Sequence, residues 1–212
     1  MGRIGGRDVV PHYIKKHKFD LIITLWDCFC VDYAEHIDAP MVNYLPVDAP
    51  FTRKMYDYVK HSYRIIAFSN FGYHELLKWF PPAKISYIQH GVDTNLYTPI
   101  SEEDRKKVRK QINVPEDAFL LIHVGANIGE RKHIPQMMLV FKKLLERHEN
   151  VYWYIYTNMQ AEYPQGYDLI SFADQLDVLK HLRYPQFNPI LEPLEDEGMA
   201  LLYAASDAYW SA

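Results

Sequence analysis

The chain has 212 residues, 49% hydrophobic and 15% aromatic, enough apolar material for a real core, best divided between two lobes. With 27 acidic against 23 basic residues and a formal net charge of -4, it has no long basic run. That excludes a general nucleic-acid binder whose affinity comes from neutralising many phosphates.

In chain order, residues 8–18 place Val9, Val10, Tyr13 and Ile14 at helical spacing with Pro11 near the start, which predicts an opening helix. Residues 19–27 form a continuous apolar run, the mark of a strand buried on both faces. Cys28 and Cys30 follow, one residue apart and with no further ligand at zinc-like spacing, so no metal site is expected. A disulfide between such near neighbours is strained, and reduced thiols fit a cytoplasmic protein. No stretch has the length needed to span a bilayer, and no apolar leader opens the chain. Residues 39–48 carry a weaker strand that ends in Asp48. Residues 62–77 read as strand, Ser/Asn cap and helix, and residues 84–93 as a strand ending in a turn at Gly91. Strands alternating with helices imply a parallel sheet covered on both faces.

Residues 97–101 break this rhythm, which places a lobe boundary between residues 1–98 and residues 99–212. Ser101, Glu102, Glu103 and Asp104 followed by Arg105, Lys106, Lys107, Arg109 and Lys110 predict a capped helix with acids early and bases late, its basic cluster on a solvated face. After a central strand and helix comes an aromatic strand over residues 151–157. Its Tyr and Trp residues are expected to pack rather than to stack on sugars, because alternate members must face the core. A loop around residues 163–166, a helix-like segment to residue 180, a Pro-rich loop over 184–193, a helix over 195–205 and the start of another strand at 207–210 complete the chain.

The second lobe is organised by Leu120, Leu121, Ile122, His123 and Val124, an apolar run that ends at Gly125, followed by Ala126, Asn127, Ile128, Gly129 and Glu130 before Arg131 and Lys132. A helix then starts near Ile134. Strand, glycine-containing loop and helix is where an α/β sheet binds phosphate, because glycine lets the backbone approach a ligand and the helix start offers free N–H groups. Arg grips a phosphate with two parallel hydrogen bonds, whereas Lys acts as a mobile point charge. The bland alternative is a pair of solvated loop cations. Their place beyond the carboxyl end of a strand favours function, since ligands of open α/β sheets sit there.

An ordered set of segments resembles glycosyltransferase family 4: residues 44–48, residues 67–72, His90, Gly91, Val92 and Asp93 with the segment to Pro99, the loop from Val124 through Arg131 and Lys132, and residues 202–209. The set covers most of the chain. The resemblance implies an α/β GT-B architecture, two Rossmann-like lobes with parallel sheets facing a cleft, residues 1–98 on the acceptor side and residues 99–212 on the donor side. It also implies transfer of a sugar from a UDP- or GDP-linked donor, with retention at the anomeric carbon, without an obligatory metal or other cofactor. Arg131 and Lys132 match the family's cationic pair and are expected to hold the donor diphosphate over a loop shaped by Gly125 and Asn127. Gly91 and Asp93 are expected at the hinge, facing the cleft. Asp48 either orients or deprotonates an acceptor hydroxyl or caps the next helix. His90 either hydrogen-bonds the donor or is a structural or exposed loop histidine.

The sequence departs from the family at both ends. Gly2, Gly5 and Gly6 have no strand before them, and residues 206–209 come just before the point where family members carry acidic residues for the sugar and ribose. Both lobes are therefore expected to be incomplete, with activity of this chain alone open. Two rival readings stand beside a transferase acting on an unknown glycan, lipid or protein acceptor. One is a non-catalytic nucleotide- or partner-binding module of the same fold, expected to self-associate or to meet a complementary chain. The other, weaker, is a sugar-nucleotide epimerase.

Overall fold

The computed structural model describes residue 6, residues 8–160 and residues 165–212. Gly2 and Gly5, and Tyr163 and Pro164 of the loop expected around residues 163–166, lie outside the described residues. The chain divides into two compact units, Met1–Gly91 and Val92–Ala212. Among the described residues no helix is long and apolar enough to cross a membrane.

The first unit carries β1 (Ile22–Leu25), β2 (Met41–Leu45), β3 (Arg64–Ala67) and β4 (Ile85–Tyr87), all parallel and ordered as in the chain. The helix α1 (Val10–His17) precedes them, with Pro11 in its first turn, and α2 (Arg53–Val59) and α3 (Asn70–Leu77) connect them. Both connecting helices start on side-chain caps: the Thr52 hydroxyl accepts from Met55 N–H and the Ser69 hydroxyl from Gly72 N–H. Gly72 is needed where it stands, because a Cβ there would lie 2.9 Å from the Val47 Cβ. Met41, Leu45, Ile65, Ala67 and Ile85 line the buried face with Val59, Leu76 and Phe80. Asn43 shares that face; its amide accepts from the Thr24 hydroxyl and donates to the Ser62 hydroxyl at 2.7 Å, so no polar atom of the amide is left unpaired.

Two expectations for this sheet are corrected. The apolar run 19–27 is not a strand buried on both faces: β1 is an edge strand of four residues, with Ile23 69% and Leu25 56% exposed. The apparently weaker strand is the buried one, β2, because burial follows place in the sheet and an edge position leaves no trace in local hydrophobicity. Cover over both faces is therefore incomplete: the face carrying Ile23 and Leu25 is exposed at β1, although Val42 on that same face of β2 is buried. Cys28 and Cys30 are reduced thiols, both buried in a short 3-10 turn just after β1. Burial pushes the Cys28 thiol up to about 11, which keeps it protonated and unreactive near neutral pH.

The second unit runs α4 (Glu102–Gln111), β5 (Phe119–Val124), α5 (Ile134–Leu145), β6 (Val151–Tyr156), α6 (Leu169–Gln175), β7 (Leu182–Arg183), α7 (Asp196–Ala205) and β8 (Ala208–Tyr209). Its strands are parallel in the order β7-β6-β5-β8. This sheet is covered on both faces. Leu121, Trp153 and Ile155 pack with Ile134, Met138 and Phe141 of α5 and Leu169 of α6. Leu120, Ile122, Tyr154 and Tyr156 pack with Leu202 of α7 on the other side. The aromatic residues of β6 are thus strand packing. The two-residue β7 is too short for any periodicity to announce it.

The basic cluster of α4 is not wholly solvated. Ser101 caps the helix as expected, but Arg109 is only 2% exposed. Its guanidinium donates to the carbonyls of Ala205 (3.0 Å), Glu116 (3.0 Å) and Ala118 (2.6 Å), and to the Asp207 carboxylate at 2.6 Å. Asp207 also accepts from Leu120 N–H at 2.7 Å and from Arg105. Arg109 is buried because α4 packs on α7 and turns one basic side chain towards the chain end of α7, where free carbonyls need donors.

Candidate functional site

The turn that follows β5 is held by backbone bonds and by one side chain, Asn127. Gly125 N–H donates to the Tyr156 carbonyl at 3.3 Å, continuing the β5–β6 ladder one step beyond the strand. Asn127, 5% exposed, fixes what comes next: its amide donates to the carbonyls of Asn158 (3.1 Å) and Tyr167 (2.7 Å) and accepts from Tyr167 N–H (3.1 Å). The side chain is therefore committed to shaping the loop. Gly129 donates to the Gln165 carbonyl at 2.7 Å and sits at φ 52, ψ -154, a region open to glycine alone. Gly129→Ala is expected to destabilise the second unit by about 1–3 kcal/mol, read as a lower urea midpoint. Gly91→Ala, where a Cβ meets nothing within 4 Å, should leave that midpoint unchanged.

Glu130–Lys132 form a 3-10 turn, and left-handed His133 leads into α5. No side chain caps this helix, and Pro135 occupies its first turn. Its start therefore presents backbone N–H groups and the positive end of the helix dipole with no built-in acceptor. Arg131 is exposed and Lys132 half-buried, and among the described residues neither forms a salt bridge. The structure thus gathers Gly125, Asn127, Arg131 and Lys132 in one loop at the carboxyl end of a parallel sheet.

The remaining candidates lie apart. Asp48 is exposed beyond the carboxyl end of β2, and it does not cap the next helix, because Thr52 does. His90 follows β4 and packs on Phe68 (centroids 4.6 Å apart) and edge-on against Tyr44 (5.2 Å), whose hydroxyl donates to the Ile88 carbonyl at 2.7 Å. No hydrogen bond or ion pair joins Asp48 to His90 among the described residues. Gly91 closes the first unit. Asp93 opens a turn in which its carboxylate accepts from Asn95 N–H at 2.9 Å.

One residue of the β5 segment was not singled out in the sequence. His123 is buried beneath Gly125, its Nδ1 3.0 Å from the Trp210 carbonyl oxygen, and among the described residues its Nε2 has no hydrogen-bond partner. Burial, with Lys132 nearby, holds its imidazole below the usual histidine range, against the opposing effect of the Trp210 bond. The available signal was a lone histidine inside an otherwise apolar strand, two residues before the glycine.

No family model matches the chain, and no curated protein matches it in sequence. Solved structures do match in fold. HepE of Anabaena, in complex with UDP and glucose, superposes with a TM-score of 0.68 at 19% identity, covering 98% of this chain and 57% of that one. A glycosyltransferase from Rickettsia africae gives 0.64 at 17% identity, covering 99% and 55%. The N-terminal domain of Candida albicans trehalose-6-phosphate phosphatase gives 0.59 at 14%, covering 96% and 52%. The chain spans about half the length of these structures. The likeness establishes an α/β fold of the GT-B class, with two Rossmann-like parallel sheets. At these identities the fold alone is shared, and function has to be argued from the site.

Proposed function

We propose that this chain is the nucleotide-sugar-handling part of a glycosyltransferase, transferring a sugar from a UDP- or GDP-linked donor to a glycan, lipid or protein acceptor with retention at the anomeric carbon. Retention follows the resemblance of the ordered motifs. The donor site rests mainly on the turn after β5, where two cations that have no carboxylate partner among the described residues meet the uncapped start of a twelve-residue helix and a glycine backbone. As the sugar leaves, negative charge grows on the diphosphate. Arg131 can take two of its oxygens in a planar fork, Lys132 can follow the charge, and the α5 N–H groups are already oriented. In this reading the two cations supply the counter-charge in place of a metal.

Residues 99–212 then form the donor lobe and residues 1–98 the acceptor lobe, with Gly91 and Asp93 at the hinge. Asp48, freed from a capping role, orients or deprotonates the acceptor hydroxyl, and His90 hydrogen-bonds the donor. A cytoplasmic location accords with two buried thiols that are not in a disulfide. The second reading, a partner-binding module of the same fold, is favoured by one observation: the exposed apolar residues Ile23 and Leu25 on an open edge strand, a surface suited to self-association or to a complementary chain.

Calorimetric titration of the purified chain with UDP and with GDP tests the donor site. Saturable binding of one nucleotide is expected and names the base. Absence of binding by a chain shown to be folded removes the donor site and puts the module reading first.

A further inference from the structure

His123 lies in β5 and is 1% exposed, and its two ring nitrogens have different surroundings. Nδ1 is 3.0 Å from the Trp210 oxygen, and a carbonyl oxygen only accepts, so the proton of the neutral ring sits on Nδ1. Nε2 is left with a bare lone pair, fully buried and unpartnered. Buried polar atoms in folded proteins are nearly always paired, so an exception calls for an explanation.

The direction of Nε2 supplies one. A Cβ built on Gly125 would lie 3.0 Å from Nε2, and the Lys132 Cδ lies 3.8 Å from that same point. The unpaired nitrogen is therefore aimed at the underside of the Gly125 turn, on the side where the Lys132 stem passes. The other rings against it are Tyr209 of β8, stacked with centroids 6.4 Å apart, and Trp153 of β6, edge-on at 6.4 Å. Neither is charged near neutral pH, so Lys132 is the charged group facing the imidazole.

We infer that His123 is a phosphate-binding residue that acts only when protonated: an anion held over Gly125 draws a proton from solvent onto Nε2, which then donates to a phosphate oxygen. This rests on the donor-site reading. A bare Nε2 lone pair repels a phosphate oxygen, whereas an imidazolium keeps its Nδ1–H bond to Trp210 and gains a donor towards the anion. The anion also offsets the Lys132 charge that, with burial, disfavours protonation in the free protein. A Cβ at position 125 would stand 3.0 Å from Nε2, so glycine keeps that approach free of a side chain. The sign follows: affinity is highest at low pH and declines as pH rises through the His123 value of the complex.

The test is calorimetric titration of the full chain with UDP-glucose, or GDP-mannose if guanine is the base selected, because their phosphates carry no proton that titrates between pH 6 and 8. Measurements in two buffers of different ionisation enthalpy report proton exchange directly. Net proton uptake is expected, with binding about tenfold tighter at pH 6 than at pH 8, equivalent to one unit of differential protonation. His123→Asn keeps a donor for the Trp210 carbonyl and should bind more weakly, without proton uptake. If that variant fails to fold, Gly125→Ala takes its place and should lose the uptake with His123 intact. Binding by the wild type with no uptake and equal affinity at both pH values overturns the inference and leaves the donor site standing. Uptake that persists in the folded variant overturns it equally, and no binding at all removes both.

Discussion

Replacing Arg131 and Lys132 together by alanine is expected to weaken nucleoside-diphosphate binding about a hundredfold or more, since each charge-assisted contact contributes roughly 1.5–3 kcal/mol. The fold should be untouched, because neither side chain forms a salt bridge among the described residues and the turn is held by Asn127 and by backbone bonds. The single variants should differ. Arg131→Lys loses the planar two-bond grip and should bind more weakly than wild type, whereas Lys132→Arg keeps the charge and should cost less. Affinity of the wild type should also fall with added salt more steeply than that of the double variant, as screening weakens partly exposed charges. Titration at two salt concentrations with unfolding curves for each protein checks all of this. Undiminished binding by the double variant would place the nucleotide elsewhere.

Asp207→Asn is expected to produce the largest loss of stability, about 3–5 kcal/mol, because it leaves the Arg109 guanidinium buried without a counter-charge. Asp207 also ties Leu120 N–H to the same point, so the change loosens the start of β5 and the approach to β8 together. Arg105→Ala should cost roughly 1 kcal/mol or less, since Arg105 is partly exposed and one of two cations on that carboxylate. Urea unfolding followed by tryptophan fluorescence, to which Trp153 and Trp210 of the second unit contribute, separates the two. The pair also gives a pH dependence. Burial alone raises the Asp207 carboxyl, but the Leu120 N–H, Arg109 and Arg105 outweigh it and hold it below its ordinary value of 3.8. A carboxylate with a depressed folded value contributes its full stability above about pH 4, and that contribution is lost as pH falls through the folded value. Asp207→Asn should therefore unfold with a weaker dependence on pH below about 4 than the wild type.

Much of the α/β order was legible in the sequence because it rests on local chemistry. The Ser69 and Ser101 caps sit where short polar side chains precede helical spacing, and β5, its glycine turn and α5 follow from an apolar run, a breaker and a new period within some twenty residues. The cationic turn could be placed at a sheet end for the same reason. Properties that depend on which segments become neighbours were not legible. The run over residues 19–27 reads as a core strand, yet the sheet order puts β1 at an edge, and β2, with Asn43 interrupting its hydrophobicity and Pro46 just past its end, takes an inner place. Arg109 reads as one of five bases on a solvated helix, and only the docking of α4 on α7 turns it towards Asp207, almost a hundred residues away in sequence. His123 reads as a polar interruption of β5. Its unpaired nitrogen acquires meaning only because β8 brings the Trp210 carbonyl to Nδ1 and the turn brings Gly125 over Nε2. Periodicity and capping are encoded within a few residues and survive in the sequence alone, whereas burial and the tautomer of a histidine are set by contacts that exist only once distant segments have packed together.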